Sequence, residues 1–409
     1  MSPAVASLCA LVAAIVISFA SRINVGVVAI ALAWAVGWYS GRPTDAVLGG
    51  FPASLFVTLA GVTLLFSLSE VNGTVGQLAR RLVAGARGSA RVVAPLIAGI
   101  VATIGPGSIA SVALVAPLAM AIGSRSKIPP FLIALMVANG ANAGNLSPLS
   151  AVGVIANTRM AEAGLGGHEW KVFAANFLAH VMVTVVVYVW MFRALPPGRV
   201  DGASEPIRLS RSQGMTLAIV SAWVAAVVLA DAPIGLAAFA ASTLVIAMRA
   251  ADETSAIRKM PWTAIVMVCG VTMLVTAVER AGGMELFTVL LARLATPATL
   301  NGVIAFVTGV ISTCSSTSGV VLPTFLPMAP GLVQQVGGGD PLAVALSINV
   351  GSSLVDVSPL STLGALCVAA VMDPDAARDL FRKLLMWGLS MSIVGALLCQ
   401  AFAGMMAGI

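Results

Sequence analysis

The residues that could do chemistry in this chain gather around two copies of one tetrapeptide. Ser147-Pro148-Leu149-Ser150 and Ser358-Pro359-Leu360-Ser361 lie 211 residues apart, each inside a long apolar segment. A proline and two hydroxyls at bilayer depth free backbone groups that lipid does not satisfy, so such a break belongs where it lines a protein-enclosed or watery cavity. Paired breaks at matching positions of two halves point to the binding site of a secondary transporter. Asn142 and Asn145 precede the first break, and Ser353 and Asp356 precede the second. Two further apolar stretches are interrupted at Gly105-Pro106-Gly107-Ser108 and at Thr313-Cys314-Ser315-Ser316-Thr317-Ser318-Gly319.

Helix N-termini with free amides suit carboxylates. Helix C-termini and unwound carbonyls, with Ser, Thr and Asn oxygens, suit Na⁺. On that division Ser108, Ser147, Pro148, Ser150, Ser316, Thr317, Ser358, Pro359, Ser361 and Thr362 are the expected substrate contacts. Asn142, Asn145, Thr313, Ser315, Ser353 and Asp356 are the expected cation ligands. Asp356 is an acid predicted deep in the membrane, where an ionisable residue is a functional candidate by default, here as cation ligand or proton carrier. Its mate Asn145 can ligate Na⁺ but cannot titrate. No span carries an Arg or Lys at its middle, so an anionic substrate would be held by dipoles and hydroxyls, with co-bound cations offsetting its charge. Glu70 and Glu279 read as caps or ion-pair partners at span ends, and His168 and His180 as a loop and a packing histidine.

The elements that must position these residues are also duplicated. Pro52, Gly61-Val62-Thr63 and Glu70 match Pro261, Gly270-Val271-Thr272 and Glu279 at an offset of 209 residues. Gly140 and Gly153 match Gly351 and Gly364 at an offset of 211, so a single short insertion accounts for the drift. The repeats cover roughly 24–193 and 232–405.

Hydrophobic residues make up 59% of the chain and charged residues 9%, too little charge to cover a soluble protein of 409 residues. The fold class is therefore an all-α polytopic membrane protein. Apolar segments predict about ten crossings. Those at 129–163 and 339–371 are too long for one straight crossing and read as broken helices. The stretches 92–123 and 299–333 read as re-entrant hairpins, or as hairpins that span twice, which leaves the parity unchanged. Amphipathic pieces at 74–87 and 284–295 are expected along the membrane surface. With the N-terminus outside, 17 of the 22 Lys and Arg fall on the inner side, which supports the crossing count. Five crossings per repeat make the second repeat inverted, and put the C-terminus outside as well. The predicted organisation is scaffold helices over 1–91, then a hairpin, broken helix and span over 92–193. A cytoplasmic linker at 194–212 leads to a second scaffold over 213–298 and a second hairpin, broken helix and last span over 299–409. No cleavable signal peptide is expected. The net charge of +6 follows the topology and is not a nucleic-acid signal, and the cysteines have neither metal nor disulfide spacing.

The run from Leu354 to Leu366 around Asp356 and Ser358-Pro359 resembles the second broken helix of malonate/dicarboxylate carriers. Phe51-Pro52-Ala53-Ser54-Leu55-Phe56 and Val71-Asn72-Gly73-Thr74 resemble the third-span region of the same family, which is related to the divalent-anion:sodium symporters of the ion transporter superfamily. The resemblance implies inverted repeats, two hairpins, two broken helices, a homodimer and an elevator motion. In the symporters each hairpin tip carries Ser-Asn-Thr. Ser315-Ser316-Thr317 resembles the second tip with Ser316 in place of Asn, while the Gly105–Ser108 tip departs further, and Ser147-Pro148 and Ser358-Pro359 stand where Thr-Pro would. The implied function is Na⁺-coupled uptake of malonate or a C4-dicarboxylate across a bacterial inner membrane, in contact with membrane lipid. H⁺ coupling through Asp356, or exchange or export of another organic anion, is the alternative. An intramembrane enzyme is not expected, because no His-Glu-x-x-His, protease acid pair or Ser/His pairing is present.

Overall fold

The computed structural model describes residues 2–21, 23–77, 107–125, 128–192, 209–230, 232–314, 316–371 and 373–408. The first limb of the first hairpin, its Gly105-Pro106, most of the 74–87 piece, most of the 194–212 linker and Ser315 lie outside the described residues.

The described residues are helical. The first half contains α1 (Pro3–Ser21), α2 (Val25–Tyr39), the short α3 (Thr44–Leu48) and α4 (Ala53–Val71). These are followed by α5 (Gly107–Arg125), α6 (Pro130–Asn145), α7 (Ala151–Glu162) and α8 (Glu169–Val187). The second half contains α9 (Arg211–Ala230), α10 (Ile234–Ala247), α11 (Glu253–Lys259), α12 (Trp262–Arg280) and α13 (Gly283–Ala292). It ends with α14 (Leu300–Cys314), α15 (Leu322–Phe325), α16 (Ala329–Val336), α17 (Pro341–Leu354), α18 (Thr362–Ala369) and α19 (Pro374–Gly408). Among the described residues, α4, Glu169–Trp190 and Asp375–Gly408 are each long and apolar enough to cross a membrane alone. The α12 and α13 helices meet at 87°, which turns the 284–295 piece sharply away from the span before it.

The helices break where proline and glycine dictate. The α6 helix stops at Asn145 and α7 restarts at Ala151, with Ser147-Pro148-Leu149-Ser150 between them. The α17 helix stops at Leu354 and α18 restarts at Thr362, with the second copy between. The α14 helix ends at Cys314, and a π-helical turn restarts the chain at Thr317. Pro323 and Pro327 then divide that limb into short pieces, because each removes a backbone donor.

The packing of the scaffold pairs each half with the other. The α2 helix packs on α12, and α4 packs on α10. Both contacts are glycine-to-glycine. A Cβ at Gly26 would run into the backbone of Val266 and Met267, and one at Gly270 into the backbone of Gly26. A Cβ at Gly61 would likewise meet the carbonyl of Gly235, and one at Gly235 would lie 2.5 Å from Thr58 Cα. Gly61 and Gly270 are the matched pair already visible in the sequence, and Gly26 and Gly235 stand at the same 209-residue offset. Close backbone approach through small residues is the usual way apolar helices associate in lipid. The same exchange recurs around the breaks: α5 packs on α18, while the limb containing α15 packs on α7.

Candidate substrate and cation site

The two tetrapeptides share the same turn hydrogen bonds. In the first, Ser150 Oγ donates to the carbonyls of Asn145 and Ser147, and Ser147 Oγ accepts from the Leu149 amide at 3.3 Å. In the second, Ser361 Oγ donates to the carbonyls of Asp356 and Ser358, and Ser358 Oγ accepts from the Leu360 amide at 3.3 Å. The serines thus satisfy carbonyls that the end of a helix leaves without a donor. A Cβ at Gly153 would strike the Ser147 carbonyl and one at Gly364 the Ser358 carbonyl, so each turn folds flat against the helix that follows it. Ser150 also caps α7, accepting from the Gly153 amide at 3.0 Å, whereas Ser361 makes no such bond to α18.

Each hairpin tip docks on the broken helix of its own half. The Ser108 amide donates to Asn145 Oδ1 at 3.3 Å. At the second tip, Thr317 Oγ1 lies 3.3 Å from the Ser352 carbonyl, and Ser312 Oγ is 2.9 Å from the same oxygen. Ser316 caps the restarted helix through the Gly319 amide at 3.0 Å. Of the other expected contacts, Pro359 is buried, Pro148 half-buried and Thr362 exposed. The Thr313 and Ser353 hydroxyls turn back onto their own helices, at 3.0 Å from Gly309 O and 2.7 Å from Asn349 O. Asp356 is half-buried, its amide bonds Ser353 O at 3.2 Å, and no ion pair among the described residues involves it.

A cavity of about 260 Å³ lies between α4 and α12 on one side and the two tips on the other. Gly107, Ser108 and Ile109 of α5, Ala151 and Val152 of α7, and Ser318 of the second tip line it. Three helical segments therefore begin at this cavity, presenting first-turn amides and the positive ends of their dipoles. Glu70 and Lys259 also line it and form a 2.7 Å ion pair, each about half exposed. The pair gives Glu70 the span-end role expected for it.

Two features differ from the sequence reading. Arg159, which the predicted topology counts only among the five cations on the outer side, sits in the last turn of α7 with 5% exposure. It pairs with Glu162 and donates from Nη2 to the Pro323 carbonyl at 3.3 Å. Its burial follows from α7 packing against α15, which covers the helix end. His180 is indeed a buried histidine, but it belongs to a polar cluster with Asn142, Asn176 and Ser353. Asn176 Nδ2 donates to the Asn142 carbonyl at 2.7 Å, and Asn142 Nδ2 donates to the Ser353 carbonyl at 3.3 Å. The sequence signal for this cluster was an Asn and a His one turn apart in an otherwise apolar span.

Residues 1–145 match the family described as dicarboxylate carrier protein MatC N-terminus. The fold is similar to that of the Alcanivorax borkumensis YdaH transporter, with a TM-score of 0.56, 18% identity, and coverage of 88% of this chain and 87% of that one. It is also similar to Neisseria gonorrhoeae MtrF, described with a class of antimetabolite efflux pumps, at a TM-score of 0.56 and 16% identity over 88% of this chain and 83% of that one. No curated protein matches the chain. The fold is a transporter fold, and the matched family is one of dicarboxylate carriers. Together the match over the first 145 residues and the likeness of fold support a membrane transporter.

Proposed function

We propose that the chain is a secondary active transporter that takes up a small dicarboxylate, malonate or a C4 acid, together with Na⁺. The observation that carries this reading is the cavity at which α5, α7 and the Thr317 turn all begin. Three helix N-termini favour a dianion without a buried basic side chain, and Ser108 and Ser318 add hydroxyls. The C-termini of α6 and α17, with the oxygens of the serine turns, supply the complementary environment for cations. Ser147, Ser150, Ser316, Thr317, Ser358 and Ser361 shape the substrate side, and Asn145 and Asp356 the cation side.

The exchanged packing of the two halves supports inverted repeats. The position of the cavity, between the glycine-packed helices and the tips with their broken helices, supports an elevator in which the second group moves past the first. A homodimer built on the scaffold helices, in a bacterial inner membrane with both termini outside, completes the proposal. The half-buried carboxylate of Asp356, which makes no ion pair among the described residues, favours one second reading, H⁺ coupling at this same site. Uptake of radiolabelled malonate and succinate into proteoliposomes, with Na⁺ and pH gradients imposed separately, tests both. Uptake driven by Na⁺ alone supports the symporter, and uptake driven by pH alone moves the coupling to Asp356. No uptake under either gradient overturns the dicarboxylate reading.

A further inference from the structure

The substrate cavity ends at an ion pair that contributes little to the fold. Leu59, Thr63, Phe66, Ser67 and Glu70 of α4 line the cavity at helical spacing and form one face, about 16 Å long from Leu59 to the last turn. That face is apolar or hydroxyl-bearing until it reaches Glu70. Among the described lining residues Glu70 and Lys259 are the charged ones, and Lys259 is the cation. Their carboxylate and ammonium are 2.7 Å apart, with the Lys259 and Glu70 side chains 49% and 44% exposed. An ion pair this open to water adds little stability, and a competing carboxylate breaks it at little cost.

The main chain beneath Lys259 is held by other bonds. Asp252 caps α11, its carboxylate accepting from the Ser255 amide at 2.7 Å. The Trp262 indole donates to the Ile257 carbonyl at 2.8 Å, and the Asn72 side chain, just past the end of α4, donates to the Ala250 carbonyl at 3.3 Å. The backbone is therefore fixed on both sides of α11, and the four-carbon stem of the lysine is the part that moves.

We propose that Lys259 is the specificity-determining cation of this cavity. Its ammonium leaves Glu70 for the second carboxylate of a dicarboxylate whose first carboxylate rests on the helix N-termini. The inference rests on the dicarboxylate reading above and deepens it to a ligand with two anionic ends. Glu70 sets the selection. A separate anion must displace a carboxylate already tethered beside Lys259, whereas the far end of an anchored acid meets the ammonium at high effective concentration. A monocarboxylate has no second end and leaves the pair closed.

The test is equilibrium binding of malonate, succinate and the monoanion propionate to the purified full-length chain in detergent. Titration calorimetry at one fixed NaCl concentration reads the affinities, and the melting temperature of each variant is recorded without ligand. Lys259→Gln should weaken dicarboxylate binding about tenfold, the usual scale for losing a charge-assisted hydrogen bond, and leave propionate binding unchanged. Lys259→Arg keeps the charge and should recover most of that loss. Glu70→Gln frees the ammonium and should tighten dicarboxylate binding. The opposite signs separate capture from scaffolding, since a pair that served structure alone would weaken binding when either partner is removed. Glu70→Gln also decides the matter if Lys259→Gln does not fold. Unchanged dicarboxylate affinity in Lys259→Gln, an equal loss for propionate, or weaker dicarboxylate binding in Glu70→Gln overturns the proposal and leaves the dicarboxylate reading standing. A wild-type chain that binds neither malonate nor succinate removes both.

Discussion

Asn142 donates its side-chain amide to the carbonyl of Ser353 at 3.3 Å, and these two residues hold the same place in the two halves of the sequence, 211 residues apart. Under the proposed inverted repeats, equivalent residues touch only near the axis that relates the copies, and this contact marks the centre about which both serine turns are arranged. It joins the last turn of α6 to the last turn of α17, directly behind the two breaks.

Asn142→Ala removes that link and leaves a buried carbonyl with one donor fewer. The expected loss is about 1–3 kcal/mol of stability, the usual result of stranding a buried polar group. Thermal unfolding in detergent measures it, and melting equal to the wild type would show that the contact does not hold the two breaks together.

The two tetrapeptides offer an internal comparison. Ser150 and Ser361 each donate to two carbonyls, but only Ser150 also caps the following helix, through Gly153 N at 3.0 Å. Ser150→Ala should therefore destabilise more than Ser361→Ala, by about 1 kcal/mol for the cap. Equal losses, or the reverse order, would contradict the difference between the turns.

The breaks were legible in the sequence because at Pro148 and Pro359 a missing donor coincides with flanking serines that offer the freed carbonyls another partner, and because the run after Thr313 is polar within an apolar stretch. Gly61 and Gly270 were legible as a repeat. That they pack against Gly235 and Gly26 was not, because periodicity says nothing about which helix of the other half a glycine meets. The surroundings of Arg159 and His180 were not legible for a related reason. Arg159 stands three residues before the end of α7, and its burial depends on α15, whose Pro323 lies 164 residues further along the chain. His180 was read as packing, since a lone histidine in an apolar span gives no sign that Asn142 and Ser353 converge on it.

Asp356 is the acid placed beside the second break, half-buried and without an ion pair among the described residues. Asp356→Asn gives it the amide that stands at the matching position, Asn145. Under the proposed function this substitution should abolish gradient-driven uptake, or uncouple it from the cation, while expression and melting stay near wild type. Uptake measured under Na⁺ and pH gradients decides the point. Flux that follows either gradient as in the wild type would remove Asp356 from the coupling mechanism.

Arg159 makes a different kind of link between the halves. Position 327 is proline and has no amide to give to the Pro323 carbonyl four residues earlier, so that oxygen is orphaned by the sequence itself. Arg159 Nη2 fills the gap from α7 at 3.3 Å, with Glu162 balancing its charge. Removing the guanidinium in Arg159→Met leaves the carbonyl buried and unsatisfied, and should cost about 1–3 kcal/mol. Arg159→Gln keeps a donor of similar reach and should recover part of that loss. A loss of charge alone would leave the two variants equally unstable, since neither carries one. Unfolding of both in detergent separates the explanations: Gln above Met assigns the effect to the Pro323 carbonyl, and equal melting assigns it to the ion pair with Glu162.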